Sequence, residues 1–306
     1  MTESVTDVSA IMHEVARQTF LSGTLYVVAT PIGNVGDITL RSLHVLGLAD
    51  AIACEDTRNT RNLLARYGLN KPLIAAHQHN ERESADKLIA RLQAGERIAL
   101  VSDAGTPAVS DPGARIVNMV QAAGLPVVPL AGPSAAIAAL SASGLINDRF
   151  QFVGFLPAKA GQRETVLQTL LSLPSTLVFY EAPHRIIDMV TALTSVFEPQ
   201  REIVLARELS KLFEEIHRCP LQDAQAWLEA DSNRQKGEFV VLLEGAPEER
   251  DARDAQTDRI LAILLEECPV KQAATLAARL TGQKKNALYD RALELKAASA
   301  GDNRLA

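Results

Sequence analysis

The sequence predicts an α/β protein with two α/β units and a small helical part at its C-terminus. Up to residue 244, short apolar runs alternate with amphipathic stretches, which is the pattern of βαβ units that build a parallel sheet. Glycines such as Gly68 and Gly124 follow the amphipathic stretches, at positions where a left-handed residue ends a helix. Beyond a polar segment at 245–256, only helical patterns remain.

The composition is that of a globular protein of about two domains. The chain has 306 residues, of which 47% are apolar and 22% charged, and its net charge is −6. Its cysteines, Cys54, Cys219 and Cys268, form no CxxC pair, which argues against a disulfide framework or a zinc ribbon and favours a reducing compartment. No unbroken apolar run reaches the roughly 18 residues of a membrane helix, so we expect a cytoplasmic protein that does not bind membranes.

The N-terminal residues 1–22 are expected to form a flexible leader, at most weakly helical. They lack the basic segment and apolar core of a signal peptide, and they carry the acids Glu3, Asp7 and Glu14. We therefore begin the first folded unit at residue 23.

The first α/β unit is predicted at residues 23–146. Short apolar runs bounded by turn residues predict its strands at Thr24–Ala29, Ala51–Cys54, Leu73–Ala76, Ile98–Val101 and Val127–Leu130. Amphipathic segments between and after them predict helices at Thr39–Leu48, Asn59–Tyr67, Ser84–Gln93, Gly113–Ala123 and Ser134–Ser143.

The second α/β unit is predicted at residues 147–246. The same patterns predict extended segments at Phe150–Gly154, Thr176–Tyr180, Glu202–Ala206, Phe213–Cys219 and Glu238–Glu244. They predict helices at Arg163–Leu173, Pro183–Phe197 and Leu221–Glu229. Because two of the extended segments have no helix between them, we expect a mixed sheet.

Residues 247–306 are predicted to form a linker and a helical domain. Helical patterns at Lys271–Leu280 and Lys284–Lys296 are joined by a three-residue turn that contains Gly282, which is typical of a helix-turn-helix. From Pro269 onward the chain carries a net charge of +4, so the remainder carries −10. A basic end on an acidic body favours a polyanionic partner, although a solvated helical face explains the charges equally simply.

Several classes of site are excluded because their motifs are absent. The first strand is not followed by G-x-G-x-x-G, and the chain contains no P-loop, no G-x-S-x-G and no H-E-x-x-H. In open α/β sheets, ligands bind at the carboxyl ends of the strands. The polar and glycine-rich loops that follow the predicted strands are therefore the candidate site.

Two loops of the first unit carry several closely spaced ionisable groups. Glu55, Asp56, Arg58 and Arg61 follow the second strand. Either Thr57 caps the following helix, with Asp56 near its positive N-terminus, or this loop supplies a base and phosphate contacts. His77 and His79 follow the third strand, where they are metal ligands, a polar rim of the site or a solvated loop. No third ligand at a convincing spacing supports a metal, so we predict none.

The loop at 102–113 is the most unusual, because it contains more turn-forming residues than a connector of its length needs. Taken with its neighbours, it completes a series of motifs. In chain order they are TPIGN, EDTR, H-x-HNE, VSDAGTP, SDPG, GPSA, FYEAPHR and KGEFVVLLEG, and KKNALYDRALEL follows in the helical domain. On these motifs the chain resembles the ribosomal RNA small subunit methyltransferase I family, within the tetrapyrrole-methylase-like class III S-adenosylmethionine-dependent methyltransferases.

The resemblance implies two α/β domains with S-adenosylmethionine in the cleft between them, and a homodimer. It implies 2′-O-ribose methylation of a decoding-centre cytidine, cytidine 1402 of 16S rRNA, with the small ribosomal subunit as the expected partner. The matching cofactor-binding positions are Pro31, Gly33, Asn34, Asp103, Ala104, Gly105, Thr106, Pro107, Gly132, Pro133, Ser134, Tyr180, Ala182, Pro183, Gly237 and Glu238. After the fourth strand, S-D-A-G-T-P replaces the G-x-G-D-P of corrin-methylating relatives, which weakens a tetrapyrrole substrate.

A ribose hydroxyl is a weak nucleophile, so a base or hydrogen-bond acceptor should help it react. The candidate bases are Glu55, Asp56 and Glu181, together with the two histidines. The candidate RNA-binding residues are Arg58, Arg61, His77, His79, Lys271, Lys284, Lys285 and Arg291. The alternatives are a small-molecule methyltransferase of the same fold and a non-catalytic RNA-binding protein.

Overall fold

The computed structural model describes residues 8–76, 81–246 and 250–302 of the chain. The chain divides into two compact units, one ending at Glu244 and the other beginning at Gly245. Both predicted α/β units lie in the first of these, and the predicted helical domain lies in the second. No helix in the described ranges has the length and apolar character needed to cross a membrane.

The expectation of a flexible leader is wrong for residues 8–22. Helix α1 spans Val8–Ala16, and the side chains of Val15 and Phe20 are buried in the core of the first sheet. The ring centroids of Phe20 and His44 lie 5.0 Å apart. The backbone carbonyl of Phe20 accepts a hydrogen bond from Arg97 Nε. Burial of a large apolar side chain contributes about 1.5–3 kcal/mol, so Val15 and Phe20 offset part of the entropy lost on ordering the segment.

The first sheet confirms the five predicted parallel strands, with ends that differ by at most one residue. They are β1 Leu25–Val28, β2 Ala51–Cys54, β3 Leu73–Ala75, β4 Ile98–Val101 and β5 Val127–Leu130. All neighbouring pairs are parallel, in the order β3-β2-β4-β1-β5. Strands β2 and β4 are buried throughout, as continuous apolar runs in a parallel sheet require.

Helices cover both faces of this sheet. They are α2 Leu40–Leu48, α3 Thr57–Arg66, α4 Glu81–Gln93 and α5 Ala114–Ala122. Leu46 of α2 and Leu64 of α3 pack on one face with Val28, whereas Leu88 of α4 and Ile116 of α5 pack on the other. The first sheet is therefore doubly wound, and its loops at the carboxyl ends of the strands remain available for a ligand.

The second sheet is mixed, as predicted. Its strands are β6 Phe150–Phe155, β7 Thr176–Glu181, β8 Glu202–Arg207, β9 Glu215–Pro220 and β10 Phe239–Leu243, in the order β6-β7-β10-β8-β9. Only the β6–β7 pair is parallel. Helices α7 Ala160–Leu170, α8 Ile186–Val196 and α9 Leu221–Glu229 pack on one face around Phe179. The predicted helix from Pro183 begins as a 3₁₀ turn, Pro183–Arg185, before α8.

Helix α6, Ala135–Ser143, follows β5 in the first half of the chain but covers the other face of the second sheet. Its Ala136 and Ala139 are buried against Val204 of β8 and Val240 of β10. Small residues let a helix backbone approach a sheet closely. This packing brings the carboxyl ends of the strands of the first sheet next to one end of the strands of the second.

The C-terminal unit consists of α10 Arg250–Glu267, α11 Val270–Thr281 and α12 Lys285–Asp302. The predicted linker to residue 256 is too long, because α10 already begins at Arg250. Helices α11 and α12 form the predicted helix-turn-helix, and Gly282 between them has the left-handed φ of 72° that ends α11. Leu261, Ala277 and Leu288 join the three helices in one small core.

Candidate functional site

A cavity of about 290 Å³ lies between the two sheets, at the low end of the size range of ligand pockets. The first sheet contributes the loops after β1 and β4 and the start of α6, and the second contributes the ends of β6, β7 and β8 and the start of β10. Its lining residues are Ile32, Ala104, Gly105, Thr106, Val109, Ser110, Asp111, Ser134, Ala135, Phe155, Tyr180, Glu181, Ala182, Pro183, Ala206, Leu209, Lys211, Glu238, Phe239 and Val240.

The loop between β4 and α5 is held over the first sheet by hydrogen bonds to the end of β1. Thr30 and Gly105 exchange two backbone hydrogen bonds, of 2.9 and 3.0 Å, and the Thr30 hydroxyl donates to the carbonyl of Ser102. Ala108 and Ser110 adopt left-handed φ values of 67° and 62°. Such conformations cost non-glycine residues about 1–2 kcal/mol each, and strain of this kind is concentrated at functional sites.

This loop also packs against β6 of the second sheet. Gly154 of β6 lies at a register shift and has a φ of 76°, and a Cβ there would lie only 2.9 Å from Ser110 Oγ. Glycine is required for this close approach as well as for the backbone conformation. The loop is therefore fixed to both sheets, with Asp111 at the cavity wall.

Asp111 is a half-buried carboxyl group in the cavity wall. Burial, together with the nearby charges of Glu55 and Asp103, raises the pKa of Asp111 from 3.8 to about 6, although a hydrogen bond with Ser102 opposes this rise. At neutral pH the group is ionised but close to its titration range, so it can accept a proton.

Tyr180 connects the second sheet to the start of α6. Its hydroxyl oxygen accepts a 3.2 Å hydrogen bond from the backbone N–H of Ala136, and burial raises the pKa of the Tyr180 phenol. Ser134, at the N-cap of α6, makes no capping hydrogen bond with its side chain. The first turn of α6 therefore presents its positive end to the cavity.

Glu181 is 2% exposed and provides a buried carboxylate in the wall. One oxygen accepts a hydrogen bond from Ala182 N at 2.9 Å and lies 3.3 Å from Arg185 Nε. Among the described residues, the other oxygen has no hydrogen-bond partner, and burial raises the pKa of the Glu181 carboxyl. A buried acceptor of this kind needs a donor, which a ligand can supply.

Lys211 lies at the edge of the cavity between two acids. Its Nζ donates to Glu208 at 2.7 Å and to Glu238 at 2.9 Å. Burial lowers the pKa of Lys211, but the hydrogen bonds to both carboxylates outweigh it, so the pKa is raised overall. The Lys211 stem occupies the space that a side chain at Gly33 would need. This close contact joins the loop after β1 to the loop after β8.

Comparison with known proteins identifies the family. The model of the Tetrapyrrole (Corrin/Porphyrin) Methylases matches residues 24–225, and that of the RsmI C-terminal HTH domain matches residues 251–296. The chain is 52% identical to ribosomal RNA small subunit methyltransferase I of Pseudomonas aeruginosa, over 89% of this chain and 98% of the relative. It is 51% identical to the protein of that name from Escherichia coli O157:H7, over 89% of this chain and 95% of that relative. The chain belongs to the ribosomal RNA small subunit methyltransferase I family.

Solved structures support the fold of this family. A uroporphyrin-III-C-methyltransferase from Thermus thermophilus aligns with a TM-score of 0.53 at 20% identity, over 72% of this chain and 94% of that one. A second structure of that enzyme, complexed with S-adenosylhomocysteine, aligns with a TM-score of 0.50 at 19% identity. The alignment covers 72% of this chain and 96% of that one. The methyltransferase family uses S-adenosylmethionine as its cofactor.

The residues of the cavity fit this cofactor by their chemistry. S-adenosylmethionine combines a sulfonium and an ammonium group with a carboxylate, a ribose and an adenine ring. The cavity offers the unpaired oxygen of Glu181 to the cationic groups, and the start of α6 to the carboxylate. Ile32, Val109 and Leu209 provide apolar surface for the ring.

Half of the positions predicted to bind cofactor in this methyltransferase family line the cavity. They are Ala104, Gly105, Thr106, Ser134, Tyr180, Ala182, Pro183 and Glu238. The remaining positions are not among its lining residues; they are Pro31, Gly33, Asn34, Asp103, Pro107, Gly132, Pro133 and Gly237.

The contacts of several of these remaining residues are structural. Asn34 caps a 3₁₀ turn, and the carbonyl of Pro133 accepts a hydrogen bond from Thr106. Asp103 accepts hydrogen bonds from Asp56 N and from Asn59 Nδ2. These residues shape the loops that carry the lining residues.

Of the candidate bases within the described part of the chain, only Glu181 lines the cavity. Asp56 is the N-cap of α3 and accepts hydrogen bonds from Arg58 N and Asn59 N, which hold the pKa of its carboxyl below its usual value. The sequence predicts the cap at Thr57, with Asp56 near the positive end of the helix; in the structure Asp56 itself is the N-cap and Thr57 is the first helical residue. Glu55 is half-buried, and its negative charge raises the pKa of the nearby Asp111 carboxyl.

The predicted RNA-binding residues differ in their surroundings. Arg58 and Arg61 are exposed on α3, and Lys271, Lys284 and Lys285 are exposed on the C-terminal unit. Arg291 instead forms two hydrogen bonds with Asp258, of 2.6 and 2.8 Å, and a third with Glu294, so it clamps α12 to α10. His77 and His79 lie outside the described residues. No cluster of metal ligands occurs within the described part of the chain.

Sequence reasoning did not assign Asp111, Phe155 and Lys211 to the site. The SDPG motif contains Asp111 and provided a signal, because an acid within a turn-rich loop at a strand end is a candidate ligand. Phe155 and Lys211 had no local signal, since they reach the cavity only through the arrangement of the second sheet.

Proposed function

We propose that the protein transfers the methyl group of S-adenosylmethionine to the ribose 2′-hydroxyl of a cytidine in 16S rRNA, cytidine 1402 of the decoding centre. The observation that carries this proposal is the cavity between the two sheets. It combines a buried carboxylate, one oxygen of which has no partner among the described residues, with the motif loops of a family whose relatives are named for rRNA methylation. We further propose a cytoplasmic homodimer that acts on the small ribosomal subunit.

S-adenosylmethionine supplies, when bound, an electrophilic methyl group on a positively charged sulfur. Glu181 would hold the ammonium group through its unpaired oxygen, and the first turn of α6 would hold the carboxylate. The apolar side chains Ile32 and Leu209 would contact the adenine. By fixing the cofactor, these residues let the ribose oxygen reach the methyl carbon in line, which is the main contribution of positioning to such a reaction.

The RNA is held by charges outside the cavity. Lys271, Lys284 and Lys285 of the helix-turn-helix contact phosphates, and the exposed Arg58 and Arg61 of α3 hold those next to the target nucleotide. The target cytidine leaves its stack so that its ribose reaches the cavity. The acidic body of the chain makes such local basic patches necessary.

Methyl transfer to small ribosomal subunits that lack the modification tests the proposal. Radiolabelled S-adenosylmethionine supplies the methyl group, and mass spectrometry of the digested RNA identifies the product. We expect 2′-O-methylcytidine at one position, with no incorporation when the protein is omitted. A uroporphyrinogen substrate is assayed in parallel, and methylation of that compound alone would favour the small-molecule alternative.

A further inference from the structure

We infer that Asp111 is the group that accepts the proton of the attacking ribose hydroxyl. The inference rests on the proposed function and assigns a role to a residue of its site. Asp111 lines the cavity, on a loop that both sheets hold in place. A base must occupy a fixed position next to the reacting oxygen, which is what this loop provides.

The loop is strained at the residues that precede Asp111. Ala108 and Ser110 both have left-handed φ values, and Ser110 packs against Gly154 of β6. The fold bears this cost while placing Val109, Ser110 and Asp111 on the cavity wall. A relaxed connector would save the strain energy, so the strained conformation points to a role for the side chains that it positions.

The other carboxylates in the cavity wall are less suited to take a proton. Among the described lining residues they are Glu181 and Glu238. Glu181 is ion-paired with Arg185 and hydrogen-bonded by Ala182 N, and its remaining oxygen is assigned to the cofactor ammonium. Glu238 is paired with Lys211, and its side chain is 79% exposed. Asp56 lies outside the lining and uses its carboxylate to cap α3.

The groups around Asp111 adjust its basicity. Glu55 at the end of β2 and Asp103 in the same loop repel its negative charge, and the Ser102 hydroxyl is a hydrogen-bond partner. Tyr180 on β7 faces it from the second sheet, and the Asp111 charge raises the pKa of that phenol. With its pKa at about 6, Asp111 is ionised at neutral pH and is a stronger base than an ordinary aspartate.

The Asp111 carboxylate takes the hydroxyl proton and becomes a neutral acid, while the ribose oxygen forms its bond to the methyl carbon with a lone pair. The carbon–sulfur bond breaks, and its electron pair neutralises the positive charge on sulfur. Asp111 then releases the proton to water, which regenerates the carboxylate.

The experiment compares Asp111→Asn with the wild-type protein in kcat on unmodified subunits, and in the Kd for S-adenosylhomocysteine measured by calorimetry. We expect kcat to fall at least about 100-fold, as is typical for loss of a general base, with the Kd changed less than about threefold. Equal losses of binding and turnover would overturn the inference, because Asp111 would then be a cofactor ligand. Turnover within about threefold of wild type would also overturn it.

The pH profile provides a second readout. The wild-type kcat should fall below about pH 6 as Asp111 is protonated, and ¹³C NMR of the ligand-free protein should show one aspartate that titrates there and is missing in Asp111→Asn. Glu55→Gln should move both the kinetic and the NMR transitions to lower pH, because one repelling charge is removed. If the pH at which kcat falls were the same in Glu55→Gln as in the wild type, the role of Asp111 would be contradicted.

These results separate the inference from the proposed function. A wild-type protein that methylates no rRNA contradicts the proposed function, whatever the variants do. A wild-type protein that forms 2′-O-methylcytidine while Asp111→Asn retains its turnover contradicts only the role of Asp111.

Discussion

The Asp111 carboxyl group illustrates how a site is built at the scale of a residue. Its chemistry depends on neighbours that come from different parts of the chain, namely Glu55 after β2 and Tyr180 on β7. None of these contacts can be deduced from local sequence. The burial that makes the group a better base also destabilises the folded protein, because an ionised carboxylate is poorly solvated there.

Asp111→Asn should therefore raise the melting temperature more at pH 8 than at pH 5. The pKa of Asp111 is about 6 in the folded protein and 3.8 without its surroundings, so its penalty is complete above pH 6, decreases between pH 6 and pH 3.8 and is absent below pH 3.8. After allowance for solvent exposure we expect a gain of about 1 kcal/mol, or about 2–4 °C. Calorimetry at both pH values measures it, with the exposed Asp86→Asn as control. A gain that is the same at pH 5 and pH 8 would contradict this account.

Phe155 exposes 54% of its surface at the end of β6 and lines the cavity. Stacking of a base on an aromatic ring contributes about 1–3 kcal/mol, so Phe155→Ala should raise KM for the subunits about 10-fold if the unstacked cytosine lies there. Binding of S-adenosylhomocysteine should change little. Phe150→Ala is a matched control, because Phe150 is 50% exposed at the other end of β6 and outside the lining. Equal effects of the two substitutions would exclude stacking on Phe155.

At the scale of an element, helix α6 determines where the cavity lies. The helix follows the last strand of the first sheet but is buried against β8 and β10 of the second. Its first turn consequently lies between the two sheets, beside Tyr180. The loop before it must pass close to β1, where Gly132 faces Ala29.

Gly132→Ala should destabilise the protein by about 1–3 kcal/mol. The added Cβ would lie 2.7 Å from the Cβ of the buried Ala29, and overpacking of this kind forces the backbone apart. Gly161→Ala in α7 is the control, because its Cβ would meet no atom within 4 Å and alanine favours a helix. Urea unfolding measures both. Equal stability of the two variants would show that the loop before α6 has room to move.

At the scale of the whole molecule, the cavity and the lysines proposed to bind RNA lie in different compact units. The residues that line the cavity belong to the first compact unit, and the exposed lysines of the helix-turn-helix belong to the second. The two units have separate apolar cores. Charges on the second unit can thus be altered without affecting the cavity.

Replacement of Lys284 and Lys285 by alanine should weaken binding to the subunit and reduce the slope of log K against log salt by about 1.5, because two phosphate contacts are lost. The Kd for S-adenosylhomocysteine should not change. A variant with Lys87→Ala and Lys159→Ala on the first unit matches the change in charge and should keep the slope. If both double variants behave alike, the helix-turn-helix has no specific part in RNA binding.

The sequence by itself determined the fold class, the five strands of the first sheet within a residue, the mixed second sheet and the helix-turn-helix. These features depend on local patterns of apolar and turn-forming residues, and the motif loops likewise identified the family and its cofactor. Tertiary structure alone decided that Phe20 is buried, that α6 covers the second sheet and that Asp111 rather than Asp56 lines the cavity. Burial and electrostatic interaction depend on distances between residues far apart in the chain, and only the folded structure sets those distances.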